Sequence, residues 1–137
     1  MKVTRARITV RYKETDQMGI VHHSNYYSWF EVARAQFFKE LGFSYRDMER
    51  RGVLLPLIKA ECHYKAPARY DDRLTIEVFI EEFKGLRLTF DYKVFNEATN
   101  RLLAEGKTVH VFTDARLKPL NIKKKYIKVY EALMDVI

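Results

Sequence analysis

The sequence predicts an α+β fold in which a curved antiparallel sheet wraps one long central helix, and three observations carry that reading. A helical run of high aromatic density, residues 24–41, sits early in the chain. Stretches of alternating or β-branched character follow between residues 53 and 115. The turns joining them, such as "FKG" and "NEATNR", are short enough for antiparallel neighbours.

The first element, "TRARITVRY" over 4–12, alternates as a strand and would put Ile8, Val10 and Tyr12 on one face. A loop runs from there to about His23. From Ser24 to Leu41, Tyr26, Tyr27, Phe30, Ala33, Phe37, Phe38 and Leu41 recur at helical spacing, and Trp29, Val32 and Ala35 add apolar surface on the other sides. A helix this apolar around most of its circumference should be surrounded by other structure. Gly42 supplies a stop signal, and "SYRDMERRG" reads as a shorter helix ending at Gly52. Four extended segments follow at 53–67 (interrupted by Pro56), 73–83, 86–97 and 101–115. "NIKKKYIKVYEALMDVI" closes the chain as a helix with Ile122, Tyr126, Val129, Tyr130 and Leu133 on one stripe. Five strands around one helix leave an edge strand and part of a face open, which favours pairing with a second copy.

At 137 residues, 47% of them hydrophobic and without a Pro/Gly/Ser linker or repeat, the chain reads as one domain, 1–137. Cys62 is the only cysteine, which excludes an internal disulfide and a multi-cysteine zinc site. No run of 18 apolar residues offers a membrane span, and "MKVTRARITV" lacks the apolar block of a signal peptide, so the expected location is cytoplasmic. The formal charge of +7 raises nucleic-acid binding, but bases and acids alternate along most of the chain and no arginine-rich arm appears. The reading is therefore of no nucleic-acid partner; a basic surface equally suits a small polyanionic ligand, such as a nucleotide-tailed thioester.

The chemistry concentrates in "ETDQMGIVHHSNYYSWFE", 14–31. A helix N-terminus exposes unpaired N–H groups with partial positive charge, suited to developing negative charge. Ser24 or Asn25 can cap the first turn, while Ser28 with Glu31 spells a capping box one turn later. Gly19 allows a tight turn or close approach of a ligand. Asp16 is then either a loop aspartate capping a backbone amide or a base or nucleophile facing an acyl group. His22 and His23 are adjacent and cannot share a helical face. With His63 and His110 on separate strands, no metal-ligand spacing is present, and no metal or cofactor is expected. Neither a G-x-S-x-G elbow, a P-loop nor a dinucleotide-binding glycine pattern occurs.

"RYKETDQMGIVHHSNYYSWFEVAR", 11–34, resembles the signature of hotdog-fold acyl-CoA thioesterases of the 4-hydroxybenzoyl-CoA thioesterase and YbgC-like group, and "YKAPARYDDRLTIEV", 64–78, resembles that family's second block. The resemblance implies a hotdog fold and hydrolysis of an acyl-CoA thioester. It assigns Asp16 as the catalytic carboxylate, with Glu14 standing where an aspartate is common. It places His23 at the helix start, its N–H polarising the carbonyl, and Gly19, Asn25 and Tyr26 around the substrate. Lys84, Arg87 and Arg69 are the candidates for the phosphates of coenzyme A.

A homodimer or homotetramer with interfacial sites is implied too. The expected substrate is a short-chain or aromatic acyl-CoA. The alternatives are an acyl carrier protein thioesterase, whose acidic carrier suits the positive surface, and a non-catalytic acyl-binding partner of lipid-synthesis enzymes.

Overall fold

The computed structural model describes residues 1–137. In chain order they form β1 (Thr4–Thr9), a single 3-10 turn (Tyr12–Glu14), α1 (Asn25–Glu40), α2 (Tyr45–Arg50), β2 (Leu57–Tyr64), β3 (Arg73–Phe83), β4 (Arg87–Asn96), β5 (Leu102–Val111), α3 (Ile122–Lys125) and α4 (Ile127–Met134). The strands make one antiparallel sheet in the order β1-β3-β4-β5-β2. The expected fold class is the observed one.

Alternation along the strands sends Leu74, Ile76, Val78 and Ile80 of β3, and Leu88, Phe90, Tyr92 and Val94 of β4, into the core against α1. The helix answers with Tyr26, Trp29, Phe30, Ala33, Phe37 and Phe38, all buried. Phe30 stacks on Tyr92 at 4.2 Å between ring centroids. That contact needs Gly106 on β5, since a Cβ there would stand 2.4 Å from the Phe30 ring. At the far end of α1, Gly42 takes φ +91°, and the Gly42 and Phe43 N–H groups bond back to the Lys39 and Phe38 carbonyls, a paired closure that stops the helix.

Three expectations need correction. Tyr12 does not extend β1; it lies in the 3-10 turn and is 77% exposed, because the chain leaves the sheet after Val10. The C-terminal helix breaks at Tyr126, whose non-helical backbone (φ −145°, ψ 74°) re-aims the chain so that Val129 and Leu133 of α4 are buried. Finally, α1 is covered on one side only. Val32 is 51% exposed and Ala35 is exposed as well, since a five-stranded sheet from one chain reaches around only part of the helix. Edge strand β2 is similarly open, with Leu57, Ile58 and Tyr64 about half exposed.

The sheet has two ends. Thr9, Arg73, Asn96, Leu102 and Tyr64 mark the end that meets the 11–24 loop. The β3–β4 turn, Val111 and Leu57 mark the other, which meets α3 through the Ile122 N–H to the Gly85 carbonyl at 2.9 Å.

Candidate active site

The loop into α1 is organised around one buried acid. Glu14 is 2% exposed; its carboxylate accepts from the Arg11 N–H at 2.7 Å and the Trp29 indole N–H at 2.9 Å, and lies 3.4 Å from the Arg11 guanidinium. Its backbone carbonyl accepts from the His22 N–H at 2.8 Å and the Asn25 side-chain amide at 2.9 Å. Burial by itself would raise the Glu14 pKa, but the Arg11 amide and guanidinium and the Trp29 N–H together hold it below the ordinary carboxylate range. One residue thus ties strand, loop and helix together.

Next to it the chain folds on itself. The Thr15 and Val21 backbones pair, the Asp16 N–H bonds the Ile20 carbonyl, and the Gly19 N–H bonds the Asp16 carbonyl, both at 2.9 Å, with Gly19 at φ +79°. Asp16 is half-buried, and its Oδ1 accepts the Met18 N–H at 2.8 Å. This is the amide-capping arrangement anticipated for a loop aspartate. It occupies one carboxylate oxygen, fixes the group's orientation, and leaves Oδ2 without a partner in the chain.

Helix α1 begins at Asn25, so the later start at Ser28–Glu31 does not occur. Ser24 occupies the cap position but does not cap with its side chain; its hydroxyl pairs with His22 Nδ1 at 2.8 Å. Asn25 acts instead through its side-chain amide, reaching the Glu14 and His22 carbonyls. The His23 N–H donates to no atom of the chain. Both histidine rings are exposed, 4.2 Å apart between centroids.

The opposite wall comes from the end of β2 and the segment after it. Tyr64 donates its hydroxyl to the His23 carbonyl at 3.1 Å and sets its ring edge-on to Tyr26, 5.0 Å away. The Ala68 carbonyl holds the Val21 N–H at 2.9 Å. Tyr26 is buried, and burial pushes its phenol up to about 12. Between these walls lies a cavity of about 340 Å³, lined by Asp16, Met18, Ile20, Val21, His23, Tyr26, Tyr64, Lys65, Ala66 and Pro67. It is a mainly apolar chamber with a carboxylate and a helix N-terminus at its mouth, within the usual size range of small-ligand sites.

Asp16, Gly19, His23, Asn25 and Tyr26 are therefore brought together, and Arg69 sits exposed at the same end of the sheet, its N–H bonded to Asp72. Lys84 and Arg87 are not: they lie at the other end, about 30 Å away by strand length. The sequence reading includes neither Tyr64 nor Lys65 among the site residues, and it marks Glu14 by position without its anchoring contacts. The "YKAP" run that closes β2 was the available signal for the first two.

Comparisons with known proteins bear on the family and the overall fold. A family model described as the thioesterase-like superfamily matches residues 10–132. YneP of Bacillus subtilis, named as a proposed acyl-CoA thioesterase, is 39% identical over 127 residues, 92% of this chain and 91% of its own. The Escherichia coli O6:H1 acyl-CoA thioester hydrolase YbgC is 32% identical over 121 residues, 88% of this chain and 90% of its own. The solved structure of DHNA-CoA thioesterase from Staphylococcus aureus superposes with a TM-score of 0.95 at 34% identity, covering 99% of this chain and 91% of that one.

Proposed function

The chain belongs to the thioesterase-like superfamily, and on that premise we propose that it hydrolyses the thioester of a short-chain or aromatic acyl-CoA to the free acid and CoA. The observation that carries this reading is the half-buried Asp16 carboxylate, with one oxygen held and one free, sharing an apolar cavity with His23. The acyl group enters that cavity, and the thioester oxygen meets the free His23 N–H at the helix mouth. Asp16 then works in one of two ways. As nucleophile it attacks the carbonyl carbon, the CoA thiolate leaves, and water hydrolyses the mixed anhydride. As base it takes a proton from water, whose hydroxide attacks as the thiolate leaves. In both, negative charge grows on the former carbonyl oxygen, and losing one such donor typically costs about 2.7–4 kcal/mol of barrier.

The open β2 edge supports a site completed by a second copy. Antiparallel pairing of two β2 edges about a two-fold axis brings the Lys84 and Arg87 end of one copy towards the Asp16 end of the other. This reconciles their separation in one chain with a role at the CoA phosphates. Acyl carrier protein is the second carrier considered, because its acidic surface suits the +7 chain.

The test is thiol release from a panel of acyl- and aroyl-CoAs, with matched pantetheine and carrier-protein thioesters. Turnover of CoA thioesters above the other two is expected. Preference for the carrier-protein thioester would move the assignment to that carrier, and a folded chain that turns over none would overturn it.

A further inference from the structure

The end of the sheet remote from the same chain's Asp16 carries far more positive charge than a role of Lys84 and Arg87 at the CoA phosphates requires. Three segments meet there: the β3–β4 turn, 84–87; the loop after β5, 114–118; and α3 with the start of α4, 121–128. Their proximity follows from the backbone. The Ile122 N–H bonds the Gly85 carbonyl, the Phe112 N–H the Leu86 carbonyl, and the Leu120 N–H the Phe112 carbonyl, each at 2.9 Å, while Thr113 pairs with Pro119 at the base of the loop.

Together these segments hold eight Lys or Arg and one acid, Asp114. The remaining 17 basic and 17 acidic residues balance, so the chain's whole formal excess of +7 sits at this end. All eight cations are exposed. Only Lys84 has a salt bridge, a long one of 3.9 Å to Glu82. Asp114 neutralises little outside its own turn, since its Oδ1 accepts the Arg116 and Lys118 N–H groups.

Each segment also carries an exposed aliphatic side chain among its cations: Leu86 at 40% exposure, Leu117 at 64% and Ile127 at 46%. Leu117, between Arg116 and Lys118, projects from a loop tip with φ +64°. A leucine held in the left-handed region and left in water is unfavourable on both counts, which marks a position kept for something other than stability.

We propose that this end is a peripheral docking surface for an anionic phospholipid bilayer, with the cations at the headgroups and Leu86, Leu117 and Ile127 entering the interface. Interleaved cations and aliphatic tips are what such a surface selects, each cation contributing favourably near an anionic leaflet. Single-stranded nucleic acid is the poorer fit, because it binds through exposed aromatic stacking platforms. The three segments contain one aromatic residue, Tyr126, and it is buried. A lone phosphate would have no use for the aliphatic tips.

The experiment is co-sedimentation of the full chain with phosphatidylcholine vesicles, with and without about one-third phosphatidylglycerol. Binding is expected only to the anionic vesicles, falling steeply as salt is raised. Lys123→Gln with Lys124→Gln should weaken it about fivefold per lysine, and Leu117→Ser should weaken it with all charges retained. Both variants change exposed side chains, and an unchanged urea midpoint would confirm that they fold. Equal binding to neutral vesicles, binding indifferent to these substitutions, displacement by millimolar inorganic phosphate, or binding to single-stranded RNA instead of vesicles would each overturn the proposal. Every readout is independent of turnover.

Discussion

The two ends of the sheet handle charge in opposite ways. At the Asp16 end, polar groups hold one another in place and leave Asp16 Oδ2 and the His23 N–H unpaired at the cavity mouth: Glu14 binds Arg11 and Trp29, Asp16 binds Met18, and Tyr64 binds His23. At the Lys84 end, cations stand in water with almost no internal partners. The difference is one of rigidity. A site that stabilises a developing charge needs donors and acceptors already oriented, because reorganisation during the reaction erodes their effect. A surface that meets a mobile anionic partner needs only charge and reach. One sheet carries both because its strands separate the two ends by about 30 Å.

That contrast can be broken most severely at Glu14. Glu14→Ala leaves the Trp29 N–H and Arg11 without their buried acceptor and should lower stability by about 3 kcal/mol, read as a shift of the urea midpoint. The pH dependence has a definite sign. Because the folded-state pKa lies below that of the unfolded chain, the Glu14 contribution is complete above the unfolded value near 4.5 and fades as pH falls through the folded one.

A smaller loss is expected at Tyr64. Tyr64→Phe removes the hydroxyl that fixes the His23 carbonyl and should lower kcat about fivefold with little change in KM. Loss of substrate affinity alone would instead make Tyr64 only a cavity wall.

Asp91 offers the reverse of Glu14. It lies on the outer face of the sheet, 3.9 Å from Lys107, and its Oδ1 is buried without a hydrogen bond. Burial, reinforced by the charge of Glu81, pushes it up to about 6 from 3.8. The fold therefore disfavours the ionised form. Asp91→Asn should raise stability by about 1 kcal/mol at neutral pH. That gain should shrink as pH falls through 6 and vanish below 3.8, as thermal melts across this range would report. The smallest effect belongs to Lys84→Ala with Arg87→Ala. A few-fold rise in KM is expected for CoA thioesters and none for pantetheine thioesters, since exposed charges contribute under about 1 kcal/mol each.

What was legible beforehand follows from the range of the interactions. The 73–83 strand coincides with β3, and the 24–41 helix differs from α1 by one residue at each end, because strand and helix periodicity are written locally. The partnership of Glu14 with Trp29, and of Tyr64 with His23 across 41 positions, has no local signature. It exists only once the end of β2 lies against the helix mouth. The open side of α1 was misjudged for a related reason: composition shows that Val32 and Ala35 are apolar, not that one chain has too little sheet to cover them. Asp16 stands out by its company of glycine, histidines and a helix start, and of that company the fold lines one cavity with Asp16, His23 and, from the first turn of the helix, Tyr26.

The most direct test of the central claim is kcat/KM for Asp16→Asn against wild type on the best acyl-CoA of the panel, with folding verified by circular dichroism. Asparagine keeps the acceptor for the Met18 N–H and removes the charge, so the loop should persist. A fall of about 100-fold or more, equivalent to about 2.7 kcal/mol of barrier, is the predicted result. A folded variant that retains wild-type turnover would contradict it, returning Asp16 to the role of a loop cap and requiring another group at the helix mouth to open the thioester.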